Sequence, residues 1–349
     1  MKTPIRTAIV GFGSVAEKMH APLITVCPDL DLVAVVERST NNSQKKYPEV
    51  KIFRSLEELL DGDHIDLVVI TTPNTFHFPM AKQCLLAGKH VVVDKPVTIY
   101  SHEAEELEQL AKQTGKVCSV FHNRRFDGDI LTIQKLISEN TLGDLVYLES
   151  HFDRFRPELS GNWREEDGPG NGITYDLGSH LIDQVYITFG SPDSIQADIR
   201  KQRSGAMADD HFDIVMDYGR FKARVTAGVL VNAPTPKYLL LGEKGSYLKF
   251  GMDVQEQAFK NGVKPEGENW GVEPEENWGK IFLNEDSYSY PSVRGDYRIF
   301  YENVADAILN GSPLKVTISQ TISVLKIIEA SFLSSKEKRV IVKSEGKWE

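Results

Sequence analysis

Residues 7–16 read Thr-Ala-Ile-Val-Gly-Phe-Gly-Ser-Val-Ala, and this stretch decides the fold. The apolar run 7–10 predicts a short buried strand that ends at Gly11. A helical pattern follows at 15–27, and Pro22 is expected to end or kink that helix. A strand, a glycine turn and a helix in immediate succession predict the first unit of a parallel α/β sheet.

The glycine turn also has the spacing of a phosphate-binding loop. Gly11-Phe12-Gly13-Ser14-Val15-Ala16 fits GxGxxG/A, in which the first glycine permits the turn and the second lets a pyrophosphate approach the backbone. Free N–H groups at the start of the helix would face the phosphates. Glu37 ends the next predicted strand, 21 residues after Ala16, where a carboxylate binds an adenosine ribose.

Strand and helix patterns alternate through the rest of the first third. Apolar strands are predicted at 30–36, 66–70, 90–93 and 116–121, and helices at 55–60, 79–87 and 101–113. Continuous apolar strands separated by helices indicate parallel pairing with both faces of the sheet covered. This part of the chain is therefore predicted to be a doubly wound α/β domain, a Rossmann fold, over residues 1–122.

The pattern changes after His122. The predicted elements are a helix at 130–138, a strand at 145–152, a loop at 160–171, a helix at 174–188, strands at 194–200, 212–218, 220–229, 237–241 and 247–250, a polar loop at 253–277, and helices at 297–309 and 319–334. Consecutive strands joined by tight turns indicate an antiparallel sheet. Residues 123–349 are thus predicted to form an α+β domain.

Composition narrows the class of protein. The net charge is 40 − 50 = −10, which argues against a nucleic-acid groove or an anionic membrane surface as partner. The three cysteines have no metal or disulfide spacing, and no scattered His or Asp spacing supports a metal site. No apolar run approaches the ~20 residues of a membrane span, and the N-terminus has no signal-peptide pattern. We expect a cytoplasmic globular protein.

Two places carry candidate catalytic side chains. Asp94 and Lys95 follow the strand at 90–93, and ligands of open parallel sheets bind at that carboxyl edge. Asp176 and His180 are four residues apart in the predicted helix 174–188, so both fall on one face. A carboxylate one turn from an imidazole can fix its tautomer for proton transfer. A solvated polar face on an amphipathic helix is the alternative.

Several motifs together resemble one family. Residues 11–16, Thr72-Pro73-Asn74 with His77, Asp94-Lys95-Pro96 and Asp176-x-x-x-His180 occur in this order, as in the glucose–fructose oxidoreductase / inositol dehydrogenase / MocA family. The segments 121–127, 154–157 and 163–165 are similar to the scyllo-inositol dehydrogenases of that family. The resemblance covers essentially the whole chain. It implies a Rossmann domain followed by an α+β domain with an open antiparallel sheet.

The resemblance also implies roles for residues. The family's catalytic lysine, aspartate and histidine match Lys95, Asp176 and His180. The usual Glu-Lys-Pro is Asp-Lys-Pro here, a change of one methylene. The candidate cofactor-binding residues are Gly11, Phe12, Gly13, Ser14, Val15, Glu37, Arg38, Thr72, Pro73, Asn74, His77, Asp94, Lys95 and Pro96. The candidate substrate-binding residues are Asn123, Arg125, Asp153, Arg156 and Trp163. They lie near the predicted domain boundary or beside the loop before the predicted catalytic helix. The alternative is that they make contacts between the domains or between loops.

The function predicted is hydride transfer between a nicotinamide cofactor and a secondary alcohol of an inositol, sugar or polyol, in a cleft between the two domains. A non-catalytic sugar or dinucleotide sensor and a tetrapyrrole reductase are alternatives, and neither needs Lys95 together with His180. Glu37 favours NAD, whereas Arg38, Ser39 and Thr40 would favour NADP if Glu37 points away. A homodimer or homotetramer is expected through an uncovered sheet face that carries Val225, Ala227, Val229 and Val231.

Overall fold

The computed structural model describes residues 3–62, 64–344 and 346–348. The chain divides into two compact units. The first comprises Met1–Asn123, Gln255–Trp270 and Asp296–Ile322, and the second comprises Arg124–Val254, Gly271–Gly295 and Ser323–Glu349. Two segments from the C-terminal half of the sequence therefore belong to the first unit.

The first unit contains a six-stranded sheet in which every pairing is parallel. Its strands are β1 (Ile5–Val10), β2 (Leu30–Val36), β3 (Lys51–Phe53), β4 (Leu67–Ile70), β5 (His90–Val93) and β6 (Cys118–Val120). The spatial order β3-β2-β1-β4-β5-β6 is that of a doubly wound sheet. All four residues of β4 are buried, which explains why this strand reads as a continuous apolar run.

The helices of the first unit include α1 (Ala16–His20, continuing as Ala21–Val26), α2 (Asn42–Lys46), α3 (Leu56–Leu60), α4 (His77–Leu86), α5 (Ser101–Thr114) and α9 (Arg298–Asn310). Ser55 caps α3 by accepting a hydrogen bond from the backbone N–H of Glu58. The sequence predicted neither β3 nor α2, because β3 has only three residues and α2 (Asn-Ser-Gln-Lys-Lys) has no apolar position to show a period.

Helix α1 begins with a π-helical turn, Ala16–His20. Pro22 occupies the first turn of the α-helical part that follows. Pro22 has no N–H to donate to the preceding turn, and the helix changes from π to α geometry beside it without ending there. His20, the last residue of the π-helical turn, is fully buried.

The second unit contains a ten-stranded sheet. Its strands are β7 (Leu145–His151), β8 (Ser194–Arg200), β9 (His211–Tyr218), β10 (Phe221–Gly228), β11 (Tyr238–Gly242), β12 (Ser246–Lys249), β13 (Gly279–Leu283), β14 (Asp286–Tyr290), β15 (Ile341–Ser344) and β16 (Lys347–Trp348). Their order is β14-β13-β12-β11-β7-β10-β9-β8-β15-β16. β7 and β10 pair in parallel and the other pairs are antiparallel, so the sheet is mixed and mostly antiparallel.

Helices α6 (Gly128–Ser138), α7 (Thr174–Gly178, continuing as Ser179–Phe189) and α10 (Ile318–Glu337) bring apolar side chains to this unit. The Tyr238 hydroxyl donates to Gln184 of α7 at 2.7 Å, which places α7 against one face of the sheet. The Ser334 hydroxyl of α10 accepts the Ala197 N–H of β8 at 2.9 Å. Both helices thus contact the sheet directly.

The sheet face predicted to be uncovered was identified wrongly. Val225 and Ala227 have no exposed surface and Val229 has 5%, so these residues belong to the core of a single chain. Helix α7 packs on this face and covers it. The opposite face carries Leu239, Leu248 and other side chains that are half-buried or exposed.

The segment 253–277 is more ordered than the polar loop predicted for it. It contains α8 (Val254–Lys260) and a 3₁₀ turn at Glu275–Asn277. The buried amide oxygen of Gln255 accepts hydrogen bonds from the Trp270 indole at 2.9 Å and from the Tyr297 N–H at 2.8 Å. Phe259 packs edge-on against Trp270, so a few anchors order a mostly polar stretch.

Candidate active site

The glycine-rich loop leaves β1 at the carboxyl edge of the parallel sheet. Gly11 has φ +87°, and a Cβ there would lie 3.2 Å from Thr72 Cγ2, so both the backbone angle and the space favour glycine. A Cβ at Gly13 would meet no atom within 4 Å. The backbone at Gly13 therefore faces open space into which a phosphate could come close.

A cavity of about 400 Å³ lies beside this loop. It is lined by Phe12, Gly13, Ser14, Glu17, Asn42, Lys45 and Lys46. Lys46 pairs with Glu17 at 2.8 Å, and Lys45 donates to the Asn42 side chain at 2.8 Å. Two lysines next to the N-terminal turn of a helix form a suitable environment for the phosphates of a dinucleotide. The residues present therefore fit the cofactor that the fold implies.

Glu37 has a structural role in the loop after β2. Its Oε1 accepts the Ser43 N–H at 2.8 Å, and its Oε2 accepts the Asn42 N–H at 2.9 Å and the Thr40 hydroxyl. Burial raises the pKa of Glu37, but these hydrogen bonds outweigh it and the net pKa is lowered. Only 5% of the surface of Glu37 is exposed, and its carboxylate caps the start of α2 by accepting the Asn42 and Ser43 N–H groups.

The same loop is held from outside by Arg54. Its guanidinium donates to the backbone oxygens of Glu37 and Thr40 at 2.9 and 2.7 Å and to the Asn41 side chain at 2.8 Å. Arg38, at the end of β2, is exposed. The loop is thus preformed, and Arg38 is the charged side chain that it leaves at the surface.

Thr72, Pro73, Asn74 and His77 follow β4. Pro73 precedes a 3₁₀ turn, Asn74–Phe76, and Asn74 is 8% exposed. The His77 ring nitrogens lie 2.7 Å from the Pro96 carbonyl oxygen and 2.8 Å from that of Thr72. Burial lowers the pKa of His77, although both carbonyls and Asp94 act in the other direction. His77 therefore clamps the Asp94-Lys95-Pro96 turn to the end of β4.

Asp94 and Lys95 follow β5, and the Lys95–Pro96 peptide is cis. Asp94 Oδ1 accepts the N–H of Lys95 at 2.9 Å, so the carboxylate is turned back onto the turn. Burial raises the pKa of Asp94, but His20, Lys95 and His77 outweigh it and the net pKa is lowered. Gly11, Thr72 and Lys95 follow adjacent strands and share the carboxyl edge of one sheet.

Asp176 lies in the π-helical first turn of α7, and His180 lies in the α-helical part, 8% exposed. Asp209 anchors the start of this helix by accepting the Thr174 N–H at 2.8 Å and its hydroxyl at 2.7 Å. Gly172 approaches Asp209 so closely that a Cβ would lie 2.0 Å from its Oδ1. The loop before the helix is therefore fixed by close packing.

A second cavity, of about 210 Å³, lies in the second unit beside Asp176. Four arginines line it, Arg154, Arg156, Arg164 and Arg203, together with the acids Glu165, Asp176 and Asp209. Arg203 is fixed by Asp210 at 3.0 Å and by Glu165 at 2.9 Å. Arg164 Nε lies 3.8 Å from Asp176 Oδ1. The cavity thus offers positively charged hydrogen-bond donors and negatively charged acceptors next to Asp176, a candidate catalytic carboxylate.

The five substrate-binding candidates have different surroundings. Asn123 is buried and donates to Met19 Sδ at 3.7 Å, and Arg125 is buried in a two-point pair with Asp183 at 2.8 and 2.7 Å. Asp153 accepts from His151, Thr235 and the Gly228 N–H. Trp163 lies under the guanidinium of Arg164, at 4.5 Å.

Arg156, the fifth candidate, differs from these. It is exposed at the second cavity, and its side chain makes no hydrogen bond or ion pair within the described ranges. The sequence reasoning left Arg154, Arg203 and Asp209 unassigned, because their position at this cavity depends on contacts distant in sequence. Across 3–62, 64–344 and 346–348, no group of three or more His, Cys, Asp or Glu could hold a metal ion. None of the helices described there is long and apolar enough to span a bilayer.

A parallel sheet of this order with a glycine-rich loop at its carboxyl edge defines a dinucleotide-binding Rossmann protein. Comparison with known families agrees. The NAD-binding Rossmann fold of the GFO_IDH_MocA oxidoreductase family matches residues 5–122, and the C-terminal alpha/beta domain of that family matches residues 134–343. The chain belongs to the Gfo/Idh/MocA oxidoreductase family, which confirms the resemblance seen in the sequence.

Individual relatives match over nearly the full length. The scyllo-inositol 2-dehydrogenase (NADP(+)) IolW of Bacillus subtilis is 38% identical, over 97% of this chain and 96% of its own. The oxidoreductase YdgJ of Escherichia coli is 39% identical, over 98% and 99%. The structure of the oxidoreductase YvaA from Bacillus subtilis superposes with a TM-score of 0.94 at 38% identity, over 99% and 100%. The protein is thus an oxidoreductase with an NAD-binding Rossmann domain.

Proposed function

We propose that this protein transfers a hydride between a nicotinamide cofactor and a secondary alcohol of an inositol, sugar or other polyol. The observation that carries the proposal is the position of Lys95 at the sheet edge that also holds the Gly11 loop, where a bound dinucleotide would place its reactive ring. The Bacillus subtilis relative is named for an inositol substrate. The nicotinamide, when bound, supplies the hydride chemistry.

The side chains of this chain would then manage the proton and the charge. In the direction of oxidation, the C–H electron pair leaves the alcohol as hydride, its O–H proton passes to the His180 imidazole, and a ketone forms. Lys95 stabilises the negative charge that develops on the oxygen. Asp176, one turn before His180, orients the imidazole.

The cavity beside Asp176 supports a polyol as substrate. Four arginines and three carboxylates line it, so donors and acceptors are both present and the charges nearly balance. Such a lining suits a neutral ligand with many hydroxyls, because each hydroxyl both donates and accepts. Within it we propose Arg156 as a substrate contact.

For the cofactor we propose NADP in place of the NAD expected from the sequence. The Glu37 carboxylate, which would repel a 2′-phosphate, is turned into its own loop. Arg38 is exposed at the end of β2, and Arg can bind a phosphate at two points. The Bacillus subtilis relative is named for NADP(+).

The test of the function is a panel of inositols, sugars and polyols offered with NADP⁺ and NAD⁺, with formation of reduced nicotinamide followed by absorbance. We expect turnover with NADP⁺, and Lys95→Ala and His180→Ala should each lower it by ~10²–10⁴. Lys82→Ala is the matched control, since Lys82 pairs with Glu106 on the surface of α4 and α5. Near-normal turnover in both active-site variants would contradict the mechanism, whereas no turnover of any panel member by the wild type would favour the non-catalytic sensor.

We also propose a homodimer or homotetramer that uses the open face of the ten-stranded sheet. On this face Leu239 pairs with Leu248 across two strands, and Phe282 of β13 is 39% exposed. Apolar side chains at the surface of a large sheet suit contact with a second copy. Light scattering should report a multiple of 39.2 kDa, and Leu239→Glu should shift it toward the monomer. A monomer at micromolar wild-type concentration would contradict this.

A further inference from the structure

A buried histidine lies behind the candidate catalytic lysine, in the same unit. His20, in the π-helical turn of α1, has no exposed surface. Its Nδ1 lies 2.6 Å from the Tyr301 hydroxyl, and its Nε2 lies 3.7 Å from Asp94 Oδ1. That same Asp94 oxygen accepts the Lys95 N–H at 2.9 Å. Four residues thus follow one another in the order Tyr301, His20, Asp94, Lys95, with a gap of 3.7 Å between the His20 ring and the Asp94 carboxylate.

The hydroxyl of Tyr301 is suited to the tautomer of His20 that carries its proton on Nε2. Burial raises the pKa of Tyr301 well above its ordinary value, so the phenol keeps its proton. Its hydroxyl can donate to Nδ1, and the proton of a neutral imidazole then resides on Nε2, the nitrogen that faces Asp94. The ring is held in this orientation by Phe121, whose centroid lies 4.2 Å away.

The gap between His20 and Asp94 leaves one contact unmade. Within the part of the chain that the structure describes, His20 Nε2 is buried and has no hydrogen-bond partner. A buried donor without a partner is costly, and the carboxylate that holds the Lys95 backbone lies 3.7 Å from this nitrogen. Hydrogen bonds at catalytic sites are often long before substrate binds and tighten afterwards.

We propose that Tyr301 and His20 are positioning residues that hold Asp94 against the backbone of the Lys95 turn and thereby aim the lysine side chain. The inference rests on the proposed function in so far as Lys95 is catalytic. His20 acts through Asp94 and contacts no reacting atom in this scheme. The fold brings its parts together from α1, β5 and α9, and Asp94 takes the place of the family's glutamate.

Substitution of His20 or Tyr301 should change the position of the Lys95 side chain before it changes the fold. A freed Asp94 carboxylate can swing toward the lysine ammonium and pair with it, which slows attack by the amine on an acylating reagent. Errors of about 1 Å in the position of a catalytic group can cost ~10²-fold in rate. We therefore expect kcat to fall by about tenfold or more in His20→Leu, with KM for either substrate changed less than about twofold.

Two measurements test this on the full chain. The first is the acylation rate of Lys95 by acetic anhydride without cofactor, read by peptide mass spectrometry with Lys82 as internal reference. It should slow by about threefold or more in His20→Leu and in Tyr301→Phe. The second is kcat on the best polyol of the panel, where His20→Gln should recover part of the loss because its amide N–H can reach toward Asp94.

Tyr247→Phe is the matched control, because it removes another buried tyrosine hydroxyl that has no hydrogen-bond partner among the described residues. It should leave both readouts unchanged. Tyr301→Phe keeps the ring, so it remains informative if His20→Leu does not fold. An unchanged Lys95 acylation rate in a folded His20 or Tyr301 variant contradicts the proposal that these residues position Lys95. A slowed acylation rate with unchanged kcat supports the positioning of Lys95 by His20 and Tyr301. That result contradicts the catalytic role of Lys95 in the proposed function.

Discussion

Replacement of Glu37 by glutamine tests whether this side chain shapes the loop after β2 or contacts the cofactor. The carboxylate accepts three hydrogen bonds, from Ser43 N–H at 2.8 Å, from Asn42 N–H at 2.9 Å and from the Thr40 hydroxyl. Glutamine keeps one acceptor oxygen, and its –NH₂ would face at least one of these donors. Loss of a hydrogen bond to a buried charged acceptor costs about 1.5–3 kcal/mol. We expect the free energy of unfolding to fall by about that amount.

The loss should depend on pH in one direction. The folded-state pKa of Glu37 is lowered, so its carboxylate stabilises the fold above the unfolded pKa of ~4.3. This stabilisation disappears as the pH falls through the lower folded-state pKa. Urea denaturation followed by tryptophan fluorescence should therefore show a clear difference between wild type and Glu37→Gln near neutral pH, and a smaller difference in acid. Glu49→Gln, an exposed acid before β3, controls for the charge change.

Equilibrium binding then separates the two roles. Glu37→Gln should weaken NADP⁺ and NAD⁺ by similar factors, because it loosens the loop without touching either ribose. Arg38→Ala should weaken NADP⁺ by about tenfold or more and NAD⁺ little, since ~1.4 kcal/mol is a modest value for an Arg–phosphate contact. Unchanged stability of Glu37→Gln, together with tighter NADP⁺ binding, would show that Glu37 faces the ribose and would refute the reasoning.

Two further predictions concern the second unit. Gly172→Ala should lower the free energy of unfolding by about 1–3 kcal/mol, because φ is +88° and the added Cβ would meet Asp209 at 2.0 Å; an unchanged melting temperature would contradict this. The two ring nitrogens of His151 lie 2.9 Å from Asp153 and 2.8 Å from Glu149. Burial lowers the pKa of His151, but the two carboxylates outweigh burial, so the net pKa is raised. Its stabilisation is therefore full below the unfolded pKa of ~6.5 and lost as pH rises through the folded-state pKa, and His151→Gln should abolish that alkaline loss in a thermal-shift series.

Periodic features of the chain were predictable from the sequence alone. The strands β2, β5 and β8 have the bounds expected from their apolar patterns, because buried strands leave a direct hydropathy signal. The glycine spacing likewise located the turn after β1. Short or polar elements gave no such signal: β14 reads Asp-Ser-Tyr-Ser-Tyr and is ordered by its ladder with β13. Its pairing partner, not its own composition, makes it a strand.

Side-chain roles were less predictable than side-chain positions. Glu37 lies at the end of β2 as the sequence predicted, but whether it faces a ribose or its own backbone depends on the turn at 40–43, which no periodicity describes. The sequence reasoning gave His20 no role. Its partners are 74 and 281 residues away (94 − 20 and 301 − 20), so only the folded chain shows them.

These cases share a physical cause. A buried carboxylate or imidazole is stable only when its polar atoms have partners, and in this chain Glu37, Asp94, Asp209 and His77 all find them in nearby backbone N–H or C=O groups. Each of these four contacts fixes a loop or turn that carries a candidate binding or catalytic residue. A residue that a sequence motif assigns to direct ligand contact can therefore act indirectly, by holding the backbone of a neighbouring residue that makes the contact. The distinction is measurable, because a ligand contact changes affinity for one ligand, whereas a backbone clamp changes stability together with every function of the loop it holds.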